Sequence, residues 1–194
     1  MQKDILMNKT ILLIFFLFIA SRFSYTEVPQ TESMTIERVM DGDTFRLSNG
    51  QKLKLAGVNA PELHDTPKLP QEARRFHKEV WAFRSLSDQA ERLAQRLVRE
   101  TNKEILVESS TQTVDEQGNL LGYIYMPVSK LDSETIVDGE TVTEQNGRYQ
   151  VFLNAYLLRI GLAELTPSTL DPKYQDLFSR LELEAKKNKK GLWS

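Results

Sequence analysis

The stretch DGDTFRLSNGQKLKLAGVNAPE, residues 41–62, decides the fold. Its middle predicts a β-hairpin, because residues 44–48 are rich in β-branched and apolar side chains and Leu53 and Leu55 follow at period two. Between these strands, Asn49 and Gly50 form the dipeptide typical of a tight type I′ turn, in which both residues take positive φ. The acidic turn at the start of the stretch therefore leads into a strand pair that opens a β-rich domain.

Strand and helix patterns alternate in the rest of the chain. Further strands are predicted at 35–39, 105–108 and 120–125, and with the hairpin they make five. Helices are predicted at 69–81, 86–98, 152–160 and 171–191. Five strands is the count of an OB-fold barrel. We therefore predict an α+β, mainly β, fold: a five-stranded OB-fold barrel with about three helices and a β-hairpin insertion.

Local patterns predict some of the element ends. Ser85 with Asp88 resembles a capping box, so the second helix is expected to begin there. The segment 127–150 is expected to be an insertion with a hairpin at Asp138 and Gly139 and a further turn at 146–147. Gly161 is expected to end the third helix.

The first residues differ in composition from the rest of the chain. Lys3 and Lys9 precede an apolar run at 11–20, which is typical of a signal peptide. The run is too short to cross a bilayer comfortably, so a cleaved leader at 1–24 is favoured over an uncleaved tether. We expect a linker at 25–33, a domain at 34–194, a secreted or periplasmic location and no permanent membrane anchor.

Composition narrows the classes of function. The chain of 194 residues has no cysteine, which excludes disulfides, thiolate metal sites and cysteine nucleophiles. Its net charge is -2, and removal of residues 1–24, which carry three basic residues and one acidic residue, gives -4. A mildly acidic domain lacks the basic footprint typical of nucleic-acid binding, although a local basic patch would suffice. His64 and His77 have no partner at zinc-ligand spacing.

An ordered set of motifs resembles the staphylococcal nuclease (thermonuclease) family over 34–194. The set has six members: an acidic D-G-D-T turn, an N-A-P-E loop, a D-E-Q-G-N turn, a Y-x-Y strand, a G-L-A run and a final G-L-W. These lie at 41–44, 59–62, 115–119, 123–125, 161–163 and 191–193. The resemblance implies an OB-fold barrel and calcium-dependent hydrolysis of DNA and RNA phosphodiesters.

The resemblance also implies roles for three residues that match the family pattern. Asp43 corresponds to the first carboxylate ligand of the metal, Ala60 to a backbone carbonyl ligand and Glu62 to the general base. These roles suit the reaction, since calcium prefers oxygen ligands and attack by water needs a nearby carboxylate. Without the resemblance, Asp43 would be read as a turn residue that caps backbone amides and Glu62 as a solvated acid.

Three other positions depart from the family pattern. Asn59 replaces the second metal aspartate, Lys54 replaces one phosphate-binding arginine and Asn119 replaces the other. Each change removes charge or the bidentate guanidinium fork. The sequence therefore predicts a secreted, monomeric thermonuclease-like protein with weakened or lost activity and reduced calcium affinity, unless Arg74, Arg75 or Arg84 supplies a cation. The alternative is a non-catalytic OB-fold module that binds DNA, RNA or a protein partner in the envelope.

Overall fold

The structure is a computed structural model that describes residues 30–62, 67–131, 135 and 137–194. The predicted signal peptide and His64 lie outside these residues. The strands in the described part are β1 Glu32–Val39, β2 Thr44–Leu47, β3 Lys52–Leu55, β4 Val58–Asn59, β5 Glu104–Val114, β6 Leu120–Val128, β7 Val142–Gln145, β8 Arg148–Phe152 and β9 Glu164–Leu165. The α-helices there are α1 Leu69–Arg75, α2 Val80–Glu100, α3 Leu153–Ile160 and α4 Gln175–Lys187. Short 3-10 turns occupy Pro167–Thr169, Pro172–Tyr174 and Gly191–Trp193.

Five strands close into a barrel, as predicted. The sheet order is β3-β2-β1-β5-β6, and a parallel pairing of β3 with β6 joins its two edges. Apolar side chains alternate into the interior, so Phe45 on β2 lies opposite Leu53 on β3 and both are buried. The α+β, mainly β, fold is therefore confirmed, with four α-helices in the described ranges.

The β2–β3 hairpin is present, but its turn is not the predicted type I′ turn. Gly50 has φ 85, whereas Asn49 does not take a positive φ. The Gly50 amide donates to the Leu47 carbonyl at 2.9 Å, and the Leu47 amide donates to the Gln51 carbonyl at 2.9 Å. This pattern is that of a turn followed by a left-handed glycine, which needs one more residue than the predicted dipeptide turn.

The first two helices meet at a different place from the one predicted. The break falls at Phe76 to Glu79, where His77 has φ 54, and α2 already begins at Val80 with Glu79 as its N-cap. Ser85 lies inside that helix, so the predicted capping box is wrong. The Asp88 carboxylate instead forms an i,i+4 ion pair with Arg92 on the helix surface. Among the described residues, no helix is both long enough and apolar enough to span a membrane.

The segment 127–150 extends the sheet at one edge. β8 pairs with β6 and β7 pairs with β8. The hairpin closes at Asn146 and Gly147, whose φ values of 54 and 73 fit a type I′ turn. The predicted hairpin at Asp138 and Gly139 would need a preceding strand at residues 132–136, which lie almost entirely outside the described residues. What the structure describes is a turn before β7, in which the Asp138 carboxylate accepts amide hydrogen bonds from three following residues. They are Glu140, Thr141 and Val142.

A buried asparagine joins α3 to the barrel. The Asn154 side-chain oxygen accepts the Ile124 amide at 2.9 Å, and its Nδ2 donates to the carbonyls of Ala56 and Gly122 at 2.9 and 3.2 Å. Asn154 is 0% exposed, and both polar atoms of its side-chain amide are used. This residue fixes β6 and the end of β3, which form one wall of the site described below. Gly161 ends α3 with φ 74, as predicted.

Candidate active site

Asp43 lies at the centre of the candidate site, immediately before β2. The preceding Gly42 packs against α2, and a Cβ there would lie 2.6 Å from the Cβ of Ala90, so the close approach requires glycine. Asp43 is 1% exposed. Its Oδ1 accepts the Thr44 hydroxyl at 2.8 Å and its Oδ2 accepts the Ala60 amide at 2.8 Å. Ala60 therefore contributes its N–H to the carboxylate, whereas its carbonyl was the expected ligand group.

Lys54 forms an ion pair with this carboxylate. Its Nζ lies 3.2 Å from Asp43 Oδ1, and its side chain is 25% exposed. Burial lowers the pKa of Lys54, but the neighbouring carboxylates, Asp43 foremost, outweigh it and hold the pKa above 10.5. Asp41 and Glu62 contribute to the same rise. The ammonium therefore stays charged and supplies a positive charge at the carboxylate that was predicted to bind metal.

Asp41 is a second, half-buried carboxyl beside Asp43. Its Oδ1 accepts the Asp43 amide at 3.1 Å. Burial and, after it, the charge of Asp43 raise the pKa of Asp41 to about 7, although Lys54 acts in the opposite direction. Near neutral pH this carboxyl is partly protonated, so it offers a cation less than a full negative charge.

The Asn59 side chain forms a hydrogen bond with Glu164 and not with Asp43. On β4, its Nδ2 donates to Glu164 Oε1 at 3.4 Å, and β4 pairs with β9 at that register. Arg75 of α1 binds the same carboxylate through two nitrogens, with Nη1 2.8 Å from Oε2. The contact joins residues more than 80 positions apart, so sequence spacing gave no signal for Glu164. Glu164 matches the charge of Arg75, which is one of the three candidate substitute cations.

Asn119 completes the turn between β5 and β6. Its Nδ2 donates to Asp115 Oδ2 at 2.8 Å and its amide donates to Asp115 Oδ1 at 2.9 Å. Burial tends to raise the pKa of Asp115, but these hydrogen bonds and the one from the Gln117 amide outweigh it and lower the pKa below 3.8. Asn119 therefore stabilises the turn, where the family pattern has a phosphate-binding arginine.

The remaining candidates, Glu62, Arg74 and Arg84, are exposed and form no hydrogen bond with Asp43. Glu62 is exposed beside residues 63–66, which the structure does not describe, and it contacts Lys54 only through its charge. Arg74 is exposed and its Nε donates to the Pro70 carbonyl at 3.1 Å. Arg84 is exposed on α2. The structure therefore brings together four of the predicted site residues: Asp43, Lys54, Ala60 and, through its charge on Lys54, Glu62. Asn59 and Asn119 instead form hydrogen bonds with Glu164 and Asp115.

An open cleft of about 500 Å³ adjoins this cluster. Its walls come from β3, β4, the β5–β6 turn and the segment after β9. Most of its polar lining is neutral, with one cation and two acids: Lys54, Asn59, Gln112, Asp115, Glu116, Gln117, Thr166, Ser168 and Thr169. Leu55, Val58 and Leu121 provide the apolar part. A cleft with this lining can hold a polar ligand through amide and hydroxyl hydrogen bonds.

The residues that the structure describes do not fit the calcium site that the family resemblance implies. Calcium takes about six to eight oxygen ligands. In residues 30–62, 67–131, 135 and 137–194, no group of three or more Asp, Glu, His or Cys residues could hold a metal ion. Both oxygens of Asp43 already accept hydrogen bonds, and the Lys54 ammonium would repel a second cation there.

Fold and site together define the class of this protein as an OB-fold module with a carboxylate–lysine cluster beside an open cleft. The chain belongs to the staphylococcal nuclease homologue family, whose family model matches residues 52–194. It is also similar to an uncharacterized protein of Methanocaldococcus jannaschii, at 26% identity over 171 residues. That alignment covers 82% of this chain and 70% of the archaeal protein.

Proposed function

We propose that this chain is a thermonuclease-like module whose hydrolysis of DNA and RNA is greatly weakened or lost. Membership of the family supports the class of protein. The observation that carries the proposal is the distance of 3.2 Å between Lys54 Nζ and Asp43 Oδ1. The ammonium neutralises the carboxylate that a catalytic metal ion would need as a ligand.

The magnitude of the loss follows from the groups that are missing. Developing charge on a phosphoryl group needs cationic donors that are free to contact it. Lys54 is bound to Asp43, and Asn119 is neutral and bound to Asp115. Each lost donor reduces turnover about 10²- to 10³-fold, so two losses with a weakened metal site reduce it by roughly four to seven orders of magnitude. Full activity would need Glu62 as the general base.

A hydrolysis assay tests the proposal. We expect the purified protein to degrade labelled DNA and RNA in calcium at rates near the buffer background, and Glu62→Gln to leave those rates unchanged. Glu72→Gln, which replaces an acid on α1, is the matched control. Rapid calcium-dependent turnover that disappears in Glu62→Gln but not in the control would overturn the proposal. A triple variant, Lys54→Arg with Asn59→Asp and Asn119→Arg, restores the family pattern and is expected to raise turnover.

Low calcium affinity is a second part of the proposal and has a readout that does not depend on turnover. We expect the thermal midpoint of the protein to be the same in millimolar calcium and in EDTA, because the ammonium already neutralises Asp43. Lys54→Met removes that charge and should introduce a calcium-dependent rise in the midpoint. A calcium-dependent rise in the unsubstituted protein, abolished by Asp43→Asn, would show that the site binds metal.

The alternative function is a non-catalytic binding module. It is supported by an open cleft whose polar lining is mainly neutral and by site residues that bind one another. Binding of oligonucleotide in EDTA, without turnover on addition of calcium, would favour this alternative. A protein partner would be favoured if oligonucleotides failed to bind and an envelope fraction retained the protein through the cleft, with Gln112→Ala and Gln117→Ala reducing the retention.

We also propose that the domain acts outside the cytoplasm. The support is the apolar run at 11–20 behind two lysines. Residues 1–24 fused to a reporter that is active only after export should give signal, and replacement of Leu13 and Phe16 by arginine should abolish it. Reporter activity unaffected by these changes would contradict the proposed leader.

A further inference from the structure

Three cations lie in register across the outer face of the β1–β2–β3 sheet. Arg38 on β1 is the partner of Arg46 on β2, and Arg46 is the partner of Lys52 on β3. The flanking pair Phe45 and Leu53 is buried, so the pair between Arg46 and Lys52 faces outward. We call Arg38, Arg46 and Lys52 the basic row.

The charges of the basic row have no acidic partner among the described residues. No carboxylate there lies within ion-pair distance of any of the three, although many other cations of the domain are paired. Arg46 Nη1 donates to the Gly50 carbonyl at 2.7 Å, which fixes the guanidinium without neutralising it. Glu37, at the bulge beside Arg38, is exposed and forms no ion pair with the row. Like charges in direct register are destabilising, so the fold gains nothing from this arrangement.

The geometry of the basic row suits a single extended polyanion. Neighbouring strands lie about 4.8 Å apart, so the three cations form a line about 10 Å long and one residue wide. Lys54 follows Lys52 two residues along β3, on the same face, about 7 Å further on. Lys54 is bound to Asp43, however, so the line of unpaired positive charge in the described residues ends at Lys52.

We propose that the basic row binds the phosphate backbone of single-stranded nucleic acid. OB-folds bind oligonucleotides on the face of strands 2 and 3, which here are β2 and β3. Lysine and arginine side chains in such a groove neutralise phosphates and release counterions. This inference rests on the binding-module alternative proposed above and deepens it, since it assigns the nucleic-acid surface to three residues outside the cleft.

An anionic membrane is the other polyanion to consider, and the hairpin disfavours it. Membrane-surface binding combines basic residues with exposed apolar side chains. The tip between β2 and β3 is polar throughout: Ser48, Asn49, Gly50 and Gln51. The observations therefore favour nucleic acid over a lipid surface.

The test is binding of a labelled single-stranded DNA of about 12 nucleotides and its RNA equivalent, followed by fluorescence anisotropy in EDTA at several salt concentrations. The row variant carries Arg38→Gln, Arg46→Gln and Lys52→Gln. The control carries Arg92→Gln, Arg99→Gln and Lys187→Gln, which remove the same charge from exposed helical positions. We expect the row variant to bind at least about 10-fold more weakly and its slope of log affinity against log salt to fall by about 2.

Equal losses in the row and control variants would overturn the proposal, because they would show only a dependence on net charge. Tighter binding to phosphatidylglycerol vesicles than to either oligonucleotide would also overturn it. Arg46 supports the hairpin turn, so the double variant Arg38→Gln with Lys52→Gln keeps that contact and tests the row without it. EDTA suppresses metal-dependent hydrolysis, so a failure of the proposed loss of turnover leaves this binding result unchanged.

Discussion

The candidate site and the basic row are built from the same strands but use their charges in opposite ways. Thr44 and Lys54 are partners at one register position of the β2–β3 pair, and Arg46 and Lys52 are partners two residues further along. At the first position Lys54 is bound to a buried carboxylate, and at the second the two cations face outward with no acid paired to them in the described ranges. The difference indicates that charges at the barrel end hold the fold together, whereas those on the outer face are left for a partner.

The largest expected effect comes from removal of the buried carboxylate. Asp43→Asn leaves the Lys54 ammonium without its partner and weakens the two other hydrogen bonds to this carboxylate, so we expect the free energy of unfolding to fall by about 3 kcal/mol. Urea denaturation measures the change, with the exposed Asp176→Asn as control. Because loss of both charges avoids an unpaired ion, Asp43→Asn with Lys54→Met should recover at least half of the loss. No recovery would mean that the ion pair is not what makes Asp43 important.

A smaller effect is expected at the β5–β6 turn. Asn119→Ala removes the side-chain donor to Asp115, and we expect a loss of about 1 kcal/mol. The folded pKa of Asp115 lies below 3.8, so its stabilising contribution is present above that pH and is lost as pH falls through the folded value. The difference in unfolding free energy between the unsubstituted protein and Asn119→Ala should therefore become smaller below about pH 4.

Carboxyl NMR titration supplies the independent measurement for that turn. In Asn119→Ala the pKa of Asp115 should rise toward 3.8, because the side-chain hydrogen bond from Asn119 is lost. The control is Gln112→Ala, which removes a nearby side-chain amide that donates to the Val114 carbonyl and not to Asp115. An unchanged Asp115 pKa in Asn119→Ala would argue that Asn119 is free to act on a ligand in the cleft.

The smallest effect concerns the basic row and has the opposite sign. Lys52→Gln removes a like-charge contact with Arg46, so we expect a gain of a few tenths of a kcal/mol in unfolding free energy. Thermal denaturation should show this gain at low salt and lose it near about 1 M salt, where exposed charges are screened. A loss of stability at low salt would place Lys52 with the fold-stabilising charges of the candidate site.

Local patterns predicted the strand pairs and the closed barrel, because alternation of apolar residues is decided within a few positions. They failed where the structure depends on a loop that is one residue longer, or on a contact between residues far apart in the chain. The dipeptide at Asn49 predicted a type I′ turn, yet the strand ends require a longer turn with only Gly50 left-handed. The contact of Asn59 with Glu164 depends on the pairing of β4 with β9.

The basic row could not be predicted from the sequence either, because it also depends on strand register. Arg38 and Arg46 become partners only because a bulge between Ile36 and Arg38 shifts the register of β1. Without the bulge the alternation along β1 would place the arginine differently relative to β2. Neither the net charge nor the spacing of residues along the chain indicates such a register shift.

Asn154 has a consequence for the time scale on which the site wall can move. The Ile124 amide is bonded to a side chain that is itself anchored to two carbonyls, so it cannot exchange with solvent through a local opening of β6. We expect its hydrogen exchange to be as slow as global unfolding. The wall beside the cleft would then open only when the domain unfolds, so we expect adjustment to a ligand to come from the β5–β6 turn.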